Sequence, residues 1–346
     1  MSFLRSNFFI KLRSWEYWPF GIIQAPVFIM WLWYALRERS LFYFSASNPS
    51  ILTGGMMGES KYEVLNLVPD SVKPKTILIK LPTTRQQVLD ALQTNGLQLP
   101  VIFKPDMGER GWMVRKIKSA EDVDQYLAEI KIDFIAQEFV NLPLEYGVFY
   151  VRFPSQPNGF VNSITEKEFL SVTGDGSKTL QQLILEKDRA KIQWDTLKQA
   201  YAAQLHDVPA PGKKIELVSI GNHCLGTTFI NSNHLITEQF SASFDAISKQ
   251  IDGFYFGRFD LRCASEADLA TGNIKIMELN GCGAEPAHIY HPGASLIKGI
   301  GTIITHWKNL YRVSKENHTR GVPYLSFAEG KRIYNSFKKL KAGKNL

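Results

Sequence analysis

Two short segments, far apart in the chain, constrain the fold most strongly, because their side chains must meet at one site. Residues 101–111 form an apolar strand pattern that ends in Lys104 and a glycine-containing turn. Backbone N–H groups and an ammonium in such a turn can face phosphate oxygens. Residues 277–280 place Glu278 and Asn280 on one face of a strand, where their oxygens suit Mg2+. The pair predicts a nucleotide site, with ATP as the expected ligand.

The composition is that of a globular protein with two or three lobes. The 346 residues can bury full cores, and 40 basic against 33 acidic residues give a net charge of +7. This excess suits an anionic ligand or a membrane surface. Because the positive charges are spread along the chain, no nucleic-acid partner is expected. The three cysteines lack Cys-x-x-Cys spacing, which favours a reducing, cytoplasmic location.

Residues 20–36 form an unusually apolar stretch that is flanked by basic residues. No small-residue cleavage site follows it, which argues against a signal peptide. Its 17 residues include Gln24 and Pro26 and fall short of the roughly 20 that span a bilayer. Trp31 and Trp33 are typical of a helix at a membrane interface. Three interpretations stay open: a helix buried in the core or in a homodimer, peripheral membrane attachment, and a true span.

Beyond this stretch, helix and strand patterns alternate, which predicts an α/β fold. Thr84 and Thr179 are expected helix N-caps, the latter after a turn at Asp175-Gly176. The polybasic residues 331–346 are expected to be frayed, with an amphipathic helix as the alternative. Strands are predicted over residues 41–46, 76–80, 101–104 and 134–140, and helices over residues 60–67, 84–94 and 121–130.

A further motif follows the lysine strand. Residues 134–140 form an apolar strand that contains Gln137, Glu138 and Val140, and Glu145 lies seven residues after Glu138. A carboxylate can accept hydrogen bonds from two hydroxyl groups at once, as a ribose would require. The alternative is a pair of exposed glutamates on a strand and its loop.

Another lysine and another strand complete the series. Lys167 lies between two glutamates, so a surface salt bridge is the alternative to a phosphate contact. Arg258 and Asp260 alternate along a strand and therefore share a face. Asp260, Glu278 and Asn280 offer the hard oxygen donors that Mg2+ requires. Phosphate oxygens and waters would complete the octahedral coordination of the metal.

In this order the motifs resemble those of ATP-grasp ligases, a family that includes D-alanine–D-alanine ligase, cyanophycin synthetase and glutathione synthetase. The resemblance covers about residues 60–300. It implies an ATP-grasp fold of the α/β (α+β) class, in which two α/β lobes sandwich ATP, here preceded by a reduced, helix-containing N-terminal region. Residues 221–227 depart from the corresponding cyanophycin synthetase segment, which leaves the substrate open.

The resemblance also implies roles for individual residues. The nucleotide would be held by Lys104, by the glycine-containing turn after it, and by the strand of residues 134–140 with its carboxylates. Two Mg2+ ions, or Mn2+ in their place, would bridge the β- and γ-phosphates. The residues so assigned are Lys104, Gly108, Gly111, Gln137, Glu138, Val140 and Glu145 for ATP, Asp260, Glu278 and Asn280 for the metal, and Arg258 and Lys167 for catalysis.

The implied organisation has five parts. They are an aromatic-rich helical region that faces a membrane or partner in one interpretation (residues 1–50), a reduced pre-ATP-grasp region (51–98), a nucleotide-binding lobe (99–185), a metal and substrate lobe (186–315) and a basic tail (316–346). His223, His288 and His291 are not expected to bind zinc, because no cysteine lies beside them at closed-site spacing. Glu285, His288 and Tyr290 either contact the acceptor substrate or only shape their loop.

The predicted activity is that of a cytoplasmic, ADP-forming ligase that depends on ATP and Mg2+. As the resemblance implies, a substrate carboxylate attacks the γ-phosphorus, and an amine or a thiol then opens the acyl-phosphate. The expected partners are a small-molecule carboxylate and an amine. Two alternatives stay open: a small-molecule kinase, and a non-catalytic ATP-binding module recruited to a membrane or a partner.

Overall fold

The computed structural model describes residues 6–108, 111–218, 221 and 223–343. The helices are α1 (Asn7–Arg13), α2 (Phe20–Ile23), α3 (Ala25–Glu38), α4 (Lys61–Asn66), α5 (Arg85–Thr94), α6 (Ala120–Glu129), α7 (Leu180–Glu186), α8 (Asp188–Ile192), α9 (Trp194–Ala200), α10 (Glu238–Lys249), α11 (Glu266–Thr271), α12 (Leu296–Thr319) and α13 (Phe327–Gly343). The strands are β1 (Thr76–Ile79), β2 (Val101–Pro105), β3 (Arg115–Ile117), β4 (Phe134–Glu138), β5 (Leu144–Val151), β6 (Phe160–Glu168), β7 (Ser171–Thr173), β8 (Lys214–Glu216), β9 (Thr228–Asn231), β10 (Phe256–Cys263) and β11 (Lys275–Asn280).

The strands form three sheets, and each strand pairing within them is antiparallel. One sheet has the order β1-β4-β2-β3, a second has the order β11-β10-β5-β6-β9, and β7 pairs with β8. Helices cover both larger sheets, so the predicted α/β class is confirmed in its α+β form. The predicted domain boundaries stay predictions.

Two separate apolar cores stabilise the two larger sheets. Phe103, Phe134 and Tyr126 pack their rings together between the four-stranded sheet and α6. Phe244 and Phe259 belong to the core between the five-stranded sheet and α10. Because each sheet has its own core, the gap between the sheets is free to hold polar side chains.

Several predicted elements are confirmed, and their caps explain where they begin. Ser60 accepts a hydrogen bond from the Glu63 N–H at the start of α4. Thr84 forms a full capping box with Gln87, and Thr179 begins α7 in the same way. Each cap satisfies an N–H group that would otherwise lack a partner in the first helical turn.

The strand predicted over residues 41–46 is wrong, because Tyr43–Ser47 is a buried 3-10 helix. Its carbonyl groups find partners on α12 instead of on a neighbouring strand. The Ser314 hydroxyl donates to the Tyr43 carbonyl, and the Asn317 amide donates to the Ala46 carbonyl at 2.9 Å. These side chains lie about 270 residues away in sequence, so local periodicity carries no sign of them.

The expectation that the basic C-terminal residues fray is also wrong as far as Gly343, because they continue helix α13. Ile333 and Phe337 lie one helical turn apart and are both half-buried, while Lys331, Lys338 and Lys339 are exposed. The amphipathic helix that was the alternative is therefore observed. Residues 344–346 lie outside the described residues.

The apolar stretch of residues 20–36 is divided into α2 and α3. Gln24 lies between the two helices, and Pro26 occupies the first turn of α3, where its missing N–H costs no hydrogen bond. Within the described residues, no helix combines the length and the apolar character that crossing a bilayer would require.

Candidate active site

Strand β10 brings the predicted metal ligands together. In the register with β11, Asp260 lies opposite Glu278, and Arg258 lies opposite Asn280. Residues 258 and 260 share one face of β10, so all four side chains converge on the same side of the sheet. Each interstrand pair is fixed by backbone pairing and not by a flexible loop.

Lys104 reaches this site from the other sheet. Its Nζ donates to the carbonyl of Met277 at 3.0 Å and to Oε1 of Gln137 at 3.1 Å. The Gln137 amide also donates to the Met277 carbonyl, at 3.2 Å. Lys104 is only 7% exposed, so its ammonium group is not a solvated surface charge.

Asp260 is held by cations and by an amide. Arg258 donates from Nε to Oδ1 at 2.9 Å and from Nη2 to Oδ2 at 3.1 Å, while Asn280 donates to Oδ2 at 3.1 Å. Lys167 Nζ lies 3.3 Å from Oδ1. Although burial opposes ionisation, the charges of Arg258 and Lys167 lower the pKa of Asp260 below its ordinary value. The carboxylate is therefore ionised at neutral pH.

The donor set fits Mg2+ that is bound jointly with a nucleotide. Asp260, Glu278 and Asn280 contribute two carboxylates and one amide. No group of three histidine, cysteine, aspartate or glutamate side chains in the described part of the chain could hold a metal. Mg2+ commonly binds through one or two carboxylates and takes its remaining ligands from phosphates and water. The assignment of these three residues stays a prediction.

Lys61 is a member of the site that sequence reasoning missed. Its Nζ lies 2.9 Å from Glu278 Oε1 and donates to the Gly108 carbonyl at 2.6 Å. Asp106 fixes the helix that carries it, because Oδ1 accepts from the Ser60 hydroxyl and from the Tyr62 N–H, both at 2.9 Å. A lysine just after a helix cap carries no local signal of this contact.

We predict that Lys61→Met lowers the Mg2+ concentration needed for half-maximal ATP binding. The ammonium group of Lys61 competes with a metal for Glu278, and removing an ion pair worth about 1 kcal/mol corresponds to roughly a fivefold shift. A Mg2+ titration at fixed ATP would measure it. Lys178→Met, which breaks an exposed ion pair with Glu186, is the matched control. An unchanged or higher Mg2+ requirement would contradict the prediction.

Glu145 is the centre of a second charged group. Lys167 Nζ lies 3.2 Å from its Oε1, and Arg262 Nε donates to its Oε2 at 3.0 Å. Arg262 also donates to the Val140 carbonyl at 3.0 Å. Lys167 is 9% exposed, so the alternative of a surface salt bridge is wrong. Arg262 was missed, although its alternation with Arg258 and Asp260 on β10 was a readable signal.

Glu138 lies apart from this charged group. Its side chain is exposed, and Oε2 accepts a hydrogen bond from the Lys75 N–H at 3.1 Å. The structure therefore brings together Lys104, Gln137, Glu145, Lys167, Arg258, Asp260, Glu278 and Asn280, but not Glu138.

The predicted glycine loop lies beside the site. The carbonyl of Gly108 accepts from Lys61, and Gly111 has φ +72°, a backbone conformation that favours glycine. Residues 109 and 110, between them, lie outside the described residues.

Burial and charge set the ionisation of the site. Burial lowers the pKa of Lys104 to about 8, in spite of the opposing charge of Glu278. Burial alone would raise the pKa of Glu278, but the charges of Lys61 and Lys104 lower it to about 2. Each of the carboxylates Glu145, Asp260 and Glu278 thus faces two cationic side chains. An anionic ligand could bind to the same cationic side chains in place of the carboxylates.

The loop after β11 forms one wall of the site. The backbone carbonyl of Glu285 accepts a hydrogen bond from Arg258 Nη1 at 3.1 Å. The side-chain Oε2 of Glu285 accepts one from the Tyr290 hydroxyl at 2.8 Å. Gln24 of the N-terminal region donates to Oε1 of the same carboxylate. The contact between Gln24 and Glu285 was not foreseen from the sequence.

The three histidines considered above as zinc ligands lie in separate contacts. Ser163 Oγ and His288 Nδ1 are 2.6 Å apart, and burial lowers the pKa of His288 to about 4. His223 Nε2 lies 2.7 Å from Glu16, and His291 Nδ1 accepts from the Asn231 N–H at 3.2 Å. Each ring nitrogen described here therefore has a protein partner.

No protein-family model and no curated protein matches this chain. Several solved structures are similar to it. They include a bifunctional glutathione synthetase from Pasteurella multocida (14% identity, 74% of this chain and 38% of that one, TM-score 0.35), the VanG D-Ala:D-Ser ligase from Enterococcus faecalis (15%, 75% and 62%, 0.42) and a D-alanine–D-alanine ligase from Bacillus anthracis (12%, 82% and 71%, 0.40).

Two of these structures, the glutathione synthetase and the D-alanine–D-alanine ligase, are of enzymes that were named above for the resemblance of the sequence motifs. The chain spans less than two thirds of the glutathione synthetase and of the D-Ala:D-Ser ligase. At these TM-scores the overlap adds nothing about chemistry, which depends on the side chains described above.

Proposed function

We propose that this protein is an ATP- and Mg2+-dependent ligase that joins a carboxylate to an amine, or to a thiol, and releases ADP. One observation carries the proposal. Three cations from three strands, Lys104, Lys167 and Arg258, converge on two carboxylates that are register partners, Asp260 and Glu278. Such an arrangement suits the phosphates of a nucleotide that binds with a metal ion.

The side chains would act by positioning and by neutralising charge. Lys104 would bind a phosphate oxygen when it releases the Met277 carbonyl, and Arg258 would hold the transferred phosphoryl group through its planar guanidinium. Lys167 bridges the carboxylates of Glu145 and Asp260 through its ammonium group. Mg2+, when bound by Asp260, Glu278 and Asn280, would supply positive charge beside the phosphates.

The bonds balance without a nucleophile from the protein. An oxygen of the substrate carboxylate bonds to the γ-phosphorus, the bond from that phosphorus to the β,γ-bridging oxygen breaks, and ADP leaves. The amine then bonds to the acyl carbon, inorganic phosphate leaves with the electron pair of the C–O bond, and the amine loses a proton. Positioning two reactants in this way contributes to the rate chiefly through entropy.

The proposal is tested by an ADP-release screen with pooled carboxylates, amines and thiols, followed by mass identification of the product. Hydroxylamine is added in a parallel reaction, because it converts an acyl-phosphate into a stable hydroxamate. A hydroxamate together with ADP supports the ligase. A stable phosphorylated product without hydroxamate would show a kinase instead, and no ATP binding at all would refute both.

We predict that ATP affinity falls as the pH rises through about 8. The pKa of Lys104 is below its ordinary value, so the free protein loses this positive charge at a lower pH than an exposed lysine would. Above pH 8 the dissociation constant should rise by up to about tenfold per pH unit. Lys104→Arg should remove this pH dependence, because a guanidinium stays protonated. Lys104→Ala should weaken binding at pH 7 by roughly 1 to 3 kcal/mol.

Calorimetric titrations at about pH 7 and pH 9 would measure these constants. A dissociation constant that is equal at both values, with Lys104→Ala unchanged as well, would separate Lys104 from the nucleotide. Lys75→Ala is the matched control, because its backbone but not its ammonium contacts Glu138.

A further inference from the structure

The outer face of α2 and α3 is apolar at positions where a helix in water normally carries charge. Its side chains are spaced so that they fall on one side of the helices, and each is between 52% and 76% exposed. No charged residue interrupts α3 before Arg37. This outer apolar face consists of Ile22, Phe28, Ile29, Leu32, Trp33 and Leu36.

The opposite side of the same helices is already used in the fold. Ile23 and Val27 are buried against Ile289 and Ile303. The ring of Tyr34 stacks on that of Tyr311 with centroids 3.9 Å apart. The helices are therefore fixed in place, and the outer apolar face cannot turn inwards. Core packing explains only the inner half of this apolar stretch.

The exposed charges that flank this apolar stretch along the chain are positive. Lys11, Arg13, Arg37 and Arg39 are exposed. The two acidic residues of the region point elsewhere: Glu16 is paired with Arg189 and His223, and Glu38 accepts from Tyr311 and Tyr324. Among the described residues 6–50, the exposed charged side chains are thus all cationic.

This charge pattern selects an anionic lipid surface over a second copy of the chain. In a twofold dimer the same patch meets itself, so the cations of one copy would approach those of the other. An anionic bilayer offers negative headgroups to the cations and an acyl boundary to the apolar side chains. Trp33, 63% exposed, is a residue type that favours this boundary.

We propose that the outer apolar face binds an anionic bilayer, with α3 lying in the plane of the membrane surface. The 14 residues of α3 extend about 21 Å, which is shorter than the roughly 30 Å of a hydrocarbon core. On the inner side, Gln24 contacts Glu285 in the wall of the candidate active site. Membrane binding would therefore place α3 between the lipid surface and that wall of the candidate active site.

The test is co-sedimentation of the full chain with vesicles of phosphatidylcholine, with and without about one third phosphatidylserine. Binding is expected only to the anionic vesicles and should weaken with salt. The double substitution Leu32→Glu and Trp33→Glu should reduce the bound fraction at least about tenfold, because two apolar groups are replaced by charges repelled from the lipid. Val208→Glu, at another exposed apolar residue, is the matched control and should bind normally.

Two results would overturn the proposal. One is an intact protein that stays in solution with the anionic vesicles. The other is a dimer, measured by analytical ultracentrifugation without lipid, that the double substitution dissociates. If that variant fails to fold, Leu36→Glu alone replaces it. The assay needs neither ATP nor turnover, so its failure leaves the proposed ligase activity untouched, and inactivity of the ligase leaves vesicle binding as its own result.

Discussion

Glu278→Gln is expected to abolish ADP formation, lowering turnover at least about a thousandfold. The substitution keeps the size of the side chain but removes the one carboxylate that β11 offers to a metal. It also removes the negative charge that faces Lys61 and Lys104. ADP release is measured over a range of Mg2+ concentrations, with the substrates found in the screen or, failing these, as basal ATP hydrolysis.

Glu168→Gln makes the same chemical change on an exposed glutamate of β6 and should keep normal turnover. Circular dichroism should show that both variants remain folded. Near-normal turnover of Glu278→Gln with Mg2+ would mean that the metal assignment is wrong. The charge at Glu278 also has a pH signature. Since its folded-state pKa is lowered to about 2, the stability that it contributes is present above its ordinary value of 4.5 and is lost as the pH falls towards 2.

Asn48→Ala is expected to destabilise the protein by about 3 kcal/mol or more. Asn48 is fully buried, and its amide makes four hydrogen bonds. Nδ2 donates to the Gly54 and Phe256 carbonyls, both at 2.8 Å, while Oδ1 accepts from the Tyr255 and Phe256 N–H groups at 2.9 and 3.0 Å. Alanine would leave buried backbone groups without these partners.

The same four hydrogen bonds, called the Asn48 clamp below, support the candidate active site. The Asn48 clamp joins the start of β10 to Gly54, whose carbonyl accepts from the Cys282 N–H just after β11. Urea unfolding would measure the loss, with the exposed Asn66→Ala as control. A change below about 1 kcal/mol would show that the Asn48 clamp contributes little.

The sequence foresaw those parts of the structure whose causes are local. Thr84 and Thr179 predicted helix starts correctly because a capping side chain bonds to an N–H only three residues away. The alternation of Arg258 with Asp260, and of Glu278 with Asn280, gave the correct shared faces because a strand has a period of two. The strand predicted at residues 41–46 failed because partners on α12 satisfy that backbone.

The sequence by itself thus determined most of the side chains of the candidate phosphate and metal site and the element that carries each, but not Lys61 or Arg262. Only the tertiary structure decided that Asp260 lies opposite Glu278. It also decided that Lys104, on the other sheet, donates to the Met277 carbonyl, and that Lys61 forms an ion pair with Glu278. The reason is physical. Caps and strand faces depend on neighbours a few residues away, whereas sheet register and contacts between sheets depend on the packing of two cores whose residues are distant in the chain.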